Sequence, residues 1–275
     1  MATVRDARLL IGTSGWQYRH WAGFYPEGVA QRRHLEFFSR QFPTVEINAS
    51  FYMLPKPESF ARWRAQTPPS FVFAVKASRY LTHLKRLIDP VPAVEKLLRA
   101  AQPLGRKLGP VLLQLPPTFA ANVERLDATL VAFRDVGAEL GLPVRVAVEP
   151  RHASWFAARE VLAVLRAHDV ALVLAHSERW PVPDPDLLTA SWVYARFHGA
   201  GHGLYGVSRL RPWAAHMRRW HRDGRPVFAY FNNDWQQYAL RDARTLMRLA
   251  GGEAAWQASA GLFPHASPRR SSGAA

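Results

Sequence analysis

Seven ionisable residues carry the chemical interest of this sequence: Glu46, Lys76, Glu149, Arg151, His152, Arg196 and His198. Each lies at or just beyond the end of a short apolar run. Glu46 and Asn48 stand two apart in Thr44-Val45-Glu46-Ile47-Asn48, and Arg196 and His198 flank Phe197 in the same way. On an extended strand this spacing turns both members of a pair to one face. A carboxylate near an imidazole can move protons, so Glu149 is a candidate general base and His152 or His198 a candidate general acid. Lys76 is a candidate electrostatic stabiliser, and Glu46 a second carboxylate for the same chemistry. Arginine grips oxyanions through a bidentate fork, so Arg151 and Arg196 point to an anionic or phosphate-bearing substrate.

Polar and aromatic residues near the same run ends could hold that substrate. Asn48, Gln114, Asn232 and Asn233 offer amides, and Ser14 a hydroxyl. Trp16, Trp21, Phe24, Tyr25, Phe51 and Tyr52 could wall a pocket or stack on a sugar or base, and Tyr205 is a further substrate-binding candidate. A purely structural reading stands beside this one. Glu46, Lys76, Glu149, Arg151 and Arg196 could form a buried ion-pair lattice that does no chemistry.

The elements that must position these residues alternate along the chain. Strand-like runs occur at Leu9–Gly12, Val45–Asn48, Phe71–Lys76, Val111–Gln114, Arg145–Glu149, Ala171–Ala175, Trp192–His198 and Val227–Asn232. Their apolar, β-branched and aromatic content suits buried parallel strands. Helical periodicity falls between them, at Arg33–Gln41, Glu58–Gln66, Ala93–Ala101, Val123–Leu140, Trp155–His168 (with Ser154 as N-cap), Pro212–Arg222 and Gln236–Ala250. The sixth connection, Ser177–Thr189, contains Pro181, Pro183 and Pro185 and is expected to be irregular. Eight such units predict a single-domain α/β protein, a (β/α)8 TIM barrel over residues 9–252. Residues 1–8 are a lead-in, and 253–275 a tail expected to be disordered from about 264. Polar groups at six strand ends would then face the C-terminal mouth of the barrel, where barrel enzymes keep their sites.

Composition narrows the classes. With no cysteine, disulfides, zinc–thiolate sites and cysteine nucleophiles are excluded, and a cytoplasmic, reducing setting fits best. No apolar run approaches the ~18–20 residues of a membrane span, and the first residues lack a signal-peptide pattern. The formal charge of +15 allows nucleic acid as a partner. Only five of the 36 basic residues are lysines, however, and the arginines are spread along the chain. No cofactor is predicted. A divalent ion on Glu46 and Glu149, as in a sugar isomerase or epimerase, is a further option without a ligand motif behind it. The loop Gly12–Trp16 is small and hydroxyl-bearing but has no P-loop ending. Gly199–Gly206 formally contains GxGxxG, with no helix expected at its last glycine; backbone N–H groups there could hold phosphate. Oligomeric state is not readable from these features.

Several segments together resemble the domain-of-unknown-function 72 family, also called YecE-like. They are Gly12-Thr13-Ser14-Gly15-Trp16 with Tyr18 and Trp21, Glu46 through Tyr52, Phe73-Ala74-Val75-Lys76 with Thr82-His83, and Leu108-Gly109-Pro110 through Gln114-Leu115-Pro116-Pro117. Further on come Glu149 with Arg151-His152 and Ser154-Trp155, Arg196-Phe197-His198-Gly199 with Tyr205-Gly206, and Tyr230-Phe231-Asn232-Asn233. The resemblance spans about residues 10 to 250 and implies a TIM barrel, without an activity. The chain departs from the family at Pro150, where the usual segment reads Glu-Phe-Arg-His. A phosphoester or nucleic-acid hydrolase, a non-catalytic nucleic-acid binder and a metal-dependent sugar isomerase therefore all remain open.

Overall fold

Short apolar runs separated by amphipathic ones bury themselves most completely as parallel strands wrapped in helices. The computed structural model describes residues 8–181, 183–199 and 203–251. Its strands are β1 (Leu9–Ser14), β2 (Thr44–Ile47), β3 (Val72–Lys76), β4 (Leu108–Gln114), β5 (Val146–Glu149), β6 (Ala171–Leu172), β7 (Leu174–His176), β8 (Val193–Phe197) and β9 (Val227–Phe231). Every pairing is parallel, in the order β6-β5-β4-β3-β2-β1-β9-β8-β7. The two ends of this sheet are halves of one strand, interrupted at Val173. Its first half pairs with β5 and its second with β8. The Ala175 N–H turns back to the Val173 carbonyl at 3.0 Å, which breaks the ladder, while the Val173 N–H still donates to Val148. With that strand counted once, the sheet wraps into an eight-stranded TIM barrel.

Alternation along each strand sorts the side chains. Leu10, Val72, Ala74, Leu112, Ala147, Tyr194, Phe228 and Tyr230 pack together inside the barrel. Ile11, Val45, Ile47, Phe73, Val75, Val111, Leu113, Val148 and Phe197 pack outward under the helices. Those helices are α1 (His34–Gln41), α2 (Ala49–Tyr52), α3 (Pro57–Ala65), α4 (Val91–Ala101), α5 (Val123–Glu139), α6 (Ser154–Ala157), α7 (Arg159–Ala167), α8 (Gly206–Arg222) and α9 (Tyr238–Ala250).

Gly12 marks a tight point in the wall. A Cβ there would lie 2.1 Å from the Thr44 carbonyl oxygen, which β2 cannot withdraw without disturbing its ladder. Gly12→Ala is therefore expected to lower stability by about 1–3 kcal/mol, as overpacking does. A urea titration tests this, and an unshifted midpoint would mean that β1 and β2 separate freely.

Three local expectations need correction. The helix expected over Trp155–His168 breaks at Ala158, whose extended backbone separates α6 from α7. Ser154 is the first residue of α6 rather than its cap, and its hydroxyl accepts from the Ala121 N–H instead. The helix expected from Pro212 starts six residues earlier, at Gly206, with Pro212 inside it. Pro212 and Ser208, whose carbonyl loses its intrahelical partner, are both exposed, so water can satisfy that group. The sixth connection has no helix among its described residues. Thr189 pins its end by bonding the Val170 carbonyl and accepting from the Leu172 N–H. The expected tail 253–275, lead-in residues 1–7 and loop residues 200–202 lie outside the described residues.

Candidate active site

The alternation that sends Tyr194 and Tyr230 into the lumen also sends the next inward positions to its C-terminal mouth. Arg196 follows Tyr194 by two on β8, Glu46 lies on β2, and Glu149 and Gln114 end β5 and β4 side by side. Arg196 is buried between the two carboxylates. It donates to Glu46 Oε1 at 2.8 Å and to Glu149 Oε2 at 2.5 Å, while its Nε has no partner among the described residues. Glu46 also accepts from Ser14 Oγ at 2.7 Å and Tyr194 OH at 2.6 Å. Glu149 Oε1 accepts from Nε and an Nη of Arg151, at 3.2 and 3.1 Å.

These contacts set the protonation states. Burial alone would raise both carboxyl pKa values. For Glu46, Arg196 and hydrogen bonds from Tyr194, Arg196 and Ser14 overcome burial and hold the pKa below the usual range. For Glu149, Arg196, His198 and Arg151 do the same and hold it well below. Burial opposes the charge of Arg196 too, but Glu149 and Glu46 keep it firmly protonated. A carboxylate held this far down is a weak base, so the geometry argues against Glu149 as the group that takes a proton.

Lys76 is the cation left over. It is 9% exposed, and among the described residues no group accepts a hydrogen bond from its ammonium. Its Nζ lies 4.1 Å from the centre of the Phe51 ring. Burial, then Arg196, lowers its pKa to about 7, against the pull of Glu46 and Glu149. Burial lowers His83 to about 4, with Lys76, Arg151 and Arg79 adding to the effect. The Arg151 guanidinium rests 5.0 Å from the Trp180 ring centre, a cation–π contact that fixes it over this side of the mouth.

Opposite lies an arc of amides. Asn48 donates to Asn232 Oδ1 at 3.4 Å, and the Asn232 amide lies 3.3 Å from His198 Nδ1. His198 Nε2 is 3.4 Å from Glu149 Oε1, within ion-pair range but outside hydrogen-bonding geometry, so this buried nitrogen stays unsatisfied. The Asn48 Oδ1 is buried and unsatisfied as well. Above the amides opens a cavity of about 520 Å³ lined by Trp16, Tyr18, Asn48, Tyr52, Trp63 and Asn232, among others. Tyr18 OH is anchored on the Ser14 carbonyl at 2.5 Å, and Trp16 meets Trp63 edge-on.

Ser14, Glu46, Lys76, Glu149, Arg151, Arg196, His198, Asn48 and Asn232 thus converge, with Trp16 and Tyr52 at the rim. Gln114 is buried beside Glu149 on the inward face, with no hydrogen bond from its amide among the described residues. Three predicted residues are engaged elsewhere. His152 Nδ1 is bound to Ser154 Oγ at 2.9 Å and accepts from the Ser154 N–H, so this ring braces the start of α6. Tyr205 packs outside the barrel against Phe197 and Phe231, with its hydroxyl on His176 Nδ1. Asn233 donates to Asp242 and to the Gly203 carbonyl.

Asp242 itself went unnoticed in the sequence. Buried on α9, it accepts from the backbone N–H groups of Tyr205 and Gly206. A helix does start at Gly206, contrary to expectation, yet a carboxylate already fills the place where a barrel phosphate commonly binds. Tyr194 could have been found from the period-two rule applied backward from Arg196. His83 was visible only through the family resemblance. Trp180 and Asp242 left no local signal.

Among the described residues no cluster of three or more potential metal ligands occurs. Glu46 and Glu149 also share one guanidinium, which a divalent ion would have to displace. No described helix is long and apolar enough to cross a membrane.

A family model described as "Protein of unknown function DUF72" matches residues 10–267. The chain is 28% identical to UPF0759 protein YecE of Escherichia coli (strain K12), over 83% of this chain and 88% of that protein. It is 25% identical to UPF0759 protein YunF of Bacillus subtilis (strain 168), over 88% and 94%. The crystal structure of a DUF72 family protein from Thermotoga maritima MSB8 superposes with a TM-score of 0.75 at 27% identity, covering 89% of this chain and 99% of that one. A DUF72 family protein from Enterococcus faecalis V583, at 18% identity and a TM-score of 0.71, shares the fold.

Proposed function

We propose, on the premise that this chain belongs to the DUF72 family, that its barrel mouth is an enzyme site for a small anionic or phosphate-bearing substrate. The observation that carries this reading is Lys76, a largely buried lysine whose ammonium has no acceptor among the described residues and lies near Arg151 and Arg196. Arg151 and Arg196 pair with the carboxylates of Glu46 and Glu149, and Lys76 has no ion-pair partner among the described residues. Burying an unpaired charge costs several kcal/mol. A fold that keeps one at the open end of a barrel has a use for it.

The reaction class that suits this arrangement is hydrolysis of a phosphoester. Phosphoryl transfer passes through a loose transition state, so positioning and charge stabilisation matter more than a strong base. Lys76 and Arg151 would hold the phosphoryl oxygens. Water would attack phosphorus as the ester bond breaks, its proton passing to the departing oxygen, and His198, a neutral imidazole whose Nδ1 accepts from Asn232, would present its Nε2–H to that oxygen as a hydrogen-bond donor. Glu149 then braces Arg151 and Arg196 instead of acting as base. Turnover of p-nitrophenyl phosphate and bis(p-nitrophenyl) phosphate tests the reading. His198→Ala is expected to lower kcat about 10²–10³-fold, the usual worth of one positioned hydrogen bond to developing charge. Unchanged kcat in that variant, or no phosphate binding by the wild type, would overturn the assignment.

Nucleic-acid binding is the second reading, favoured by the +15 charge and by exposed Tyr52 and Trp235. It requires affinity for DNA or RNA that falls linearly with salt on logarithmic axes and survives Glu149→Gln.

A further inference from the structure

The mouth has two unlike halves. On one side Lys76 and Arg151 present positive charge, with Lys76 packed on the Phe51 ring. On the other, the cavity over β1 and β2 carries no charged side chain in its lining and is walled by aromatic rings and amides. The halves are adjacent. Asn48 and Lys76 occupy corresponding positions just past the paired residues Ile47 and Val75 of neighbouring strands, which run about 4.8 Å apart. Phe51, under the Lys76 ammonium, packs edge-on against Tyr52 at 5.0 Å. Asn232 joins them at the back, between Asn48 and His198.

The uncharged half is also incomplete. Asn48 Oδ1 is buried without a donor among the described residues, although buried polar atoms are nearly always paired. Its neighbour Asn232 offers only a long contact through the amide nitrogen of Asn48. A ligand hydroxyl would satisfy that oxygen. Trp16 and Trp63 meet at 81°, which makes a corner and leaves no parallel slot between those two rings for a flat base. The face of an aromatic ring is its negative side, and the C–H bonds of a sugar ring are polarised positive by their oxygens. A corner of aromatic rings with neighbouring amides fits a hydroxylated ring.

We infer that the substrate is a sugar phosphate, with its phosphate on Lys76 and Arg151 and its ring hydroxyls on Asn48 and Asn232 against Trp16 and Tyr52. The inference rests on the anion-site reading proposed above and adds the second half of the molecule to it. Asp242 strengthens the placement. It occupies the α8 N-terminus, so the phosphate goes to the β3 and β5 side of the mouth and leaves the amide side for the sugar.

Calorimetric titration of the full chain with inorganic phosphate, glucose 6-phosphate and adenosine monophosphate separates the possibilities. Glucose 6-phosphate is expected to bind at least tenfold more tightly than inorganic phosphate. Asn48→Ala and Tyr52→Ala should each remove most of that advantage. Tyr52 is 76% exposed, so its truncation leaves the fold intact. If phosphate binds but the sugar adds nothing, or the advantage survives both variants, the sugar assignment falls and the anion site stands. A gain seen only with adenosine monophosphate also overturns it, in favour of a nucleoside. If none of the three binds, the anion-site reading fails and takes this inference with it.

Discussion

Arg196→Met should cost the fold about 3–5 kcal/mol at pH 7.5, the usual penalty for stripping the partner from a buried charge. The substitution preserves bulk but leaves Glu46 and Glu149 without the cation that bridges them, while Arg151 still pairs with Glu149. The loss should shrink as the pH falls toward 5. Without Arg196, burial and the nearby Glu149 charge lift the Glu46 carboxyl pKa above that of the unfolded chain, because Arg196 is its ion-pair partner. A group whose folded pKa is raised contributes stability below that pKa and loses it as pH rises through it. Protonation at pH 5 therefore restores part of what the variant lost, whereas the wild type, with its carboxyl pKa values held down, gains nothing there by this route. Urea titrations of both proteins at pH 5 and 7.5 give the comparison. A difference below about 1 kcal/mol at pH 7.5, or one independent of pH, would mean that solvent reaches these carboxylates and the cluster is not sealed.

Lys76→Met should weaken the binding of sulfate at pH 6 by about 10–100-fold, the range for a hydrogen bond to a charged group. Sulfate is the useful probe because its own charge does not change between pH 5 and 9. In the wild type the affinity should be full below pH 6 and fall by about tenfold per unit above pH 7, as the ammonium loses its proton at a pKa near 7. The variant should show a weak, flat profile over the same range.

Stability should move the other way. The folded pKa of Lys76 lies below its unfolded value, so the unfolded state binds more protons between about pH 7 and 10.4. This group therefore destabilises the wild type most below pH 7 and progressively less above it. Methionine removes that burden, so at pH 6 the variant should be at least as stable as the wild type. Lost binding with retained stability is the mark of a residue kept for function. A wild-type sulfate affinity that stays level from pH 6 to 8.5 would remove Lys76 from the anion site.

The residues that could do chemistry were readable because each lies on a strand, and strand geometry is local. Thr44-Val45-Glu46-Ile47-Asn48 states by alternation alone that Glu46 and Asn48 share a face and that Val45 and Ile47 share the other. The barrel sends the first pair to the lumen and mouth and the second under the helices. The same rule placed Lys76, Glu149, Arg196 and His198. It failed where the element was not a regular strand. His152, Tyr205 and Asn233 all follow strand ends in loops, and loop backbone turns side chains toward whatever needs capping. His152 went to Ser154, Tyr205 to His176, and Asn233 to Asp242.

The order of apolar and amphipathic runs thus determined the barrel, its irregular sixth unit and the inward set of polar side chains, since strand periodicity and the cost of burying charge under helices act within a few residues. Partnership was decided elsewhere. Arg196 reaches Glu46 from 150 positions away and Glu149 from 47, and only closure of the sheet brings them together. The same closure left Lys76 without an acceptor among the described residues and gave Asp242 the helix end where a barrel phosphate commonly binds. Hydrogen bonds form over about 3 Å, and separations that small between distant strands are set by how the whole barrel packs.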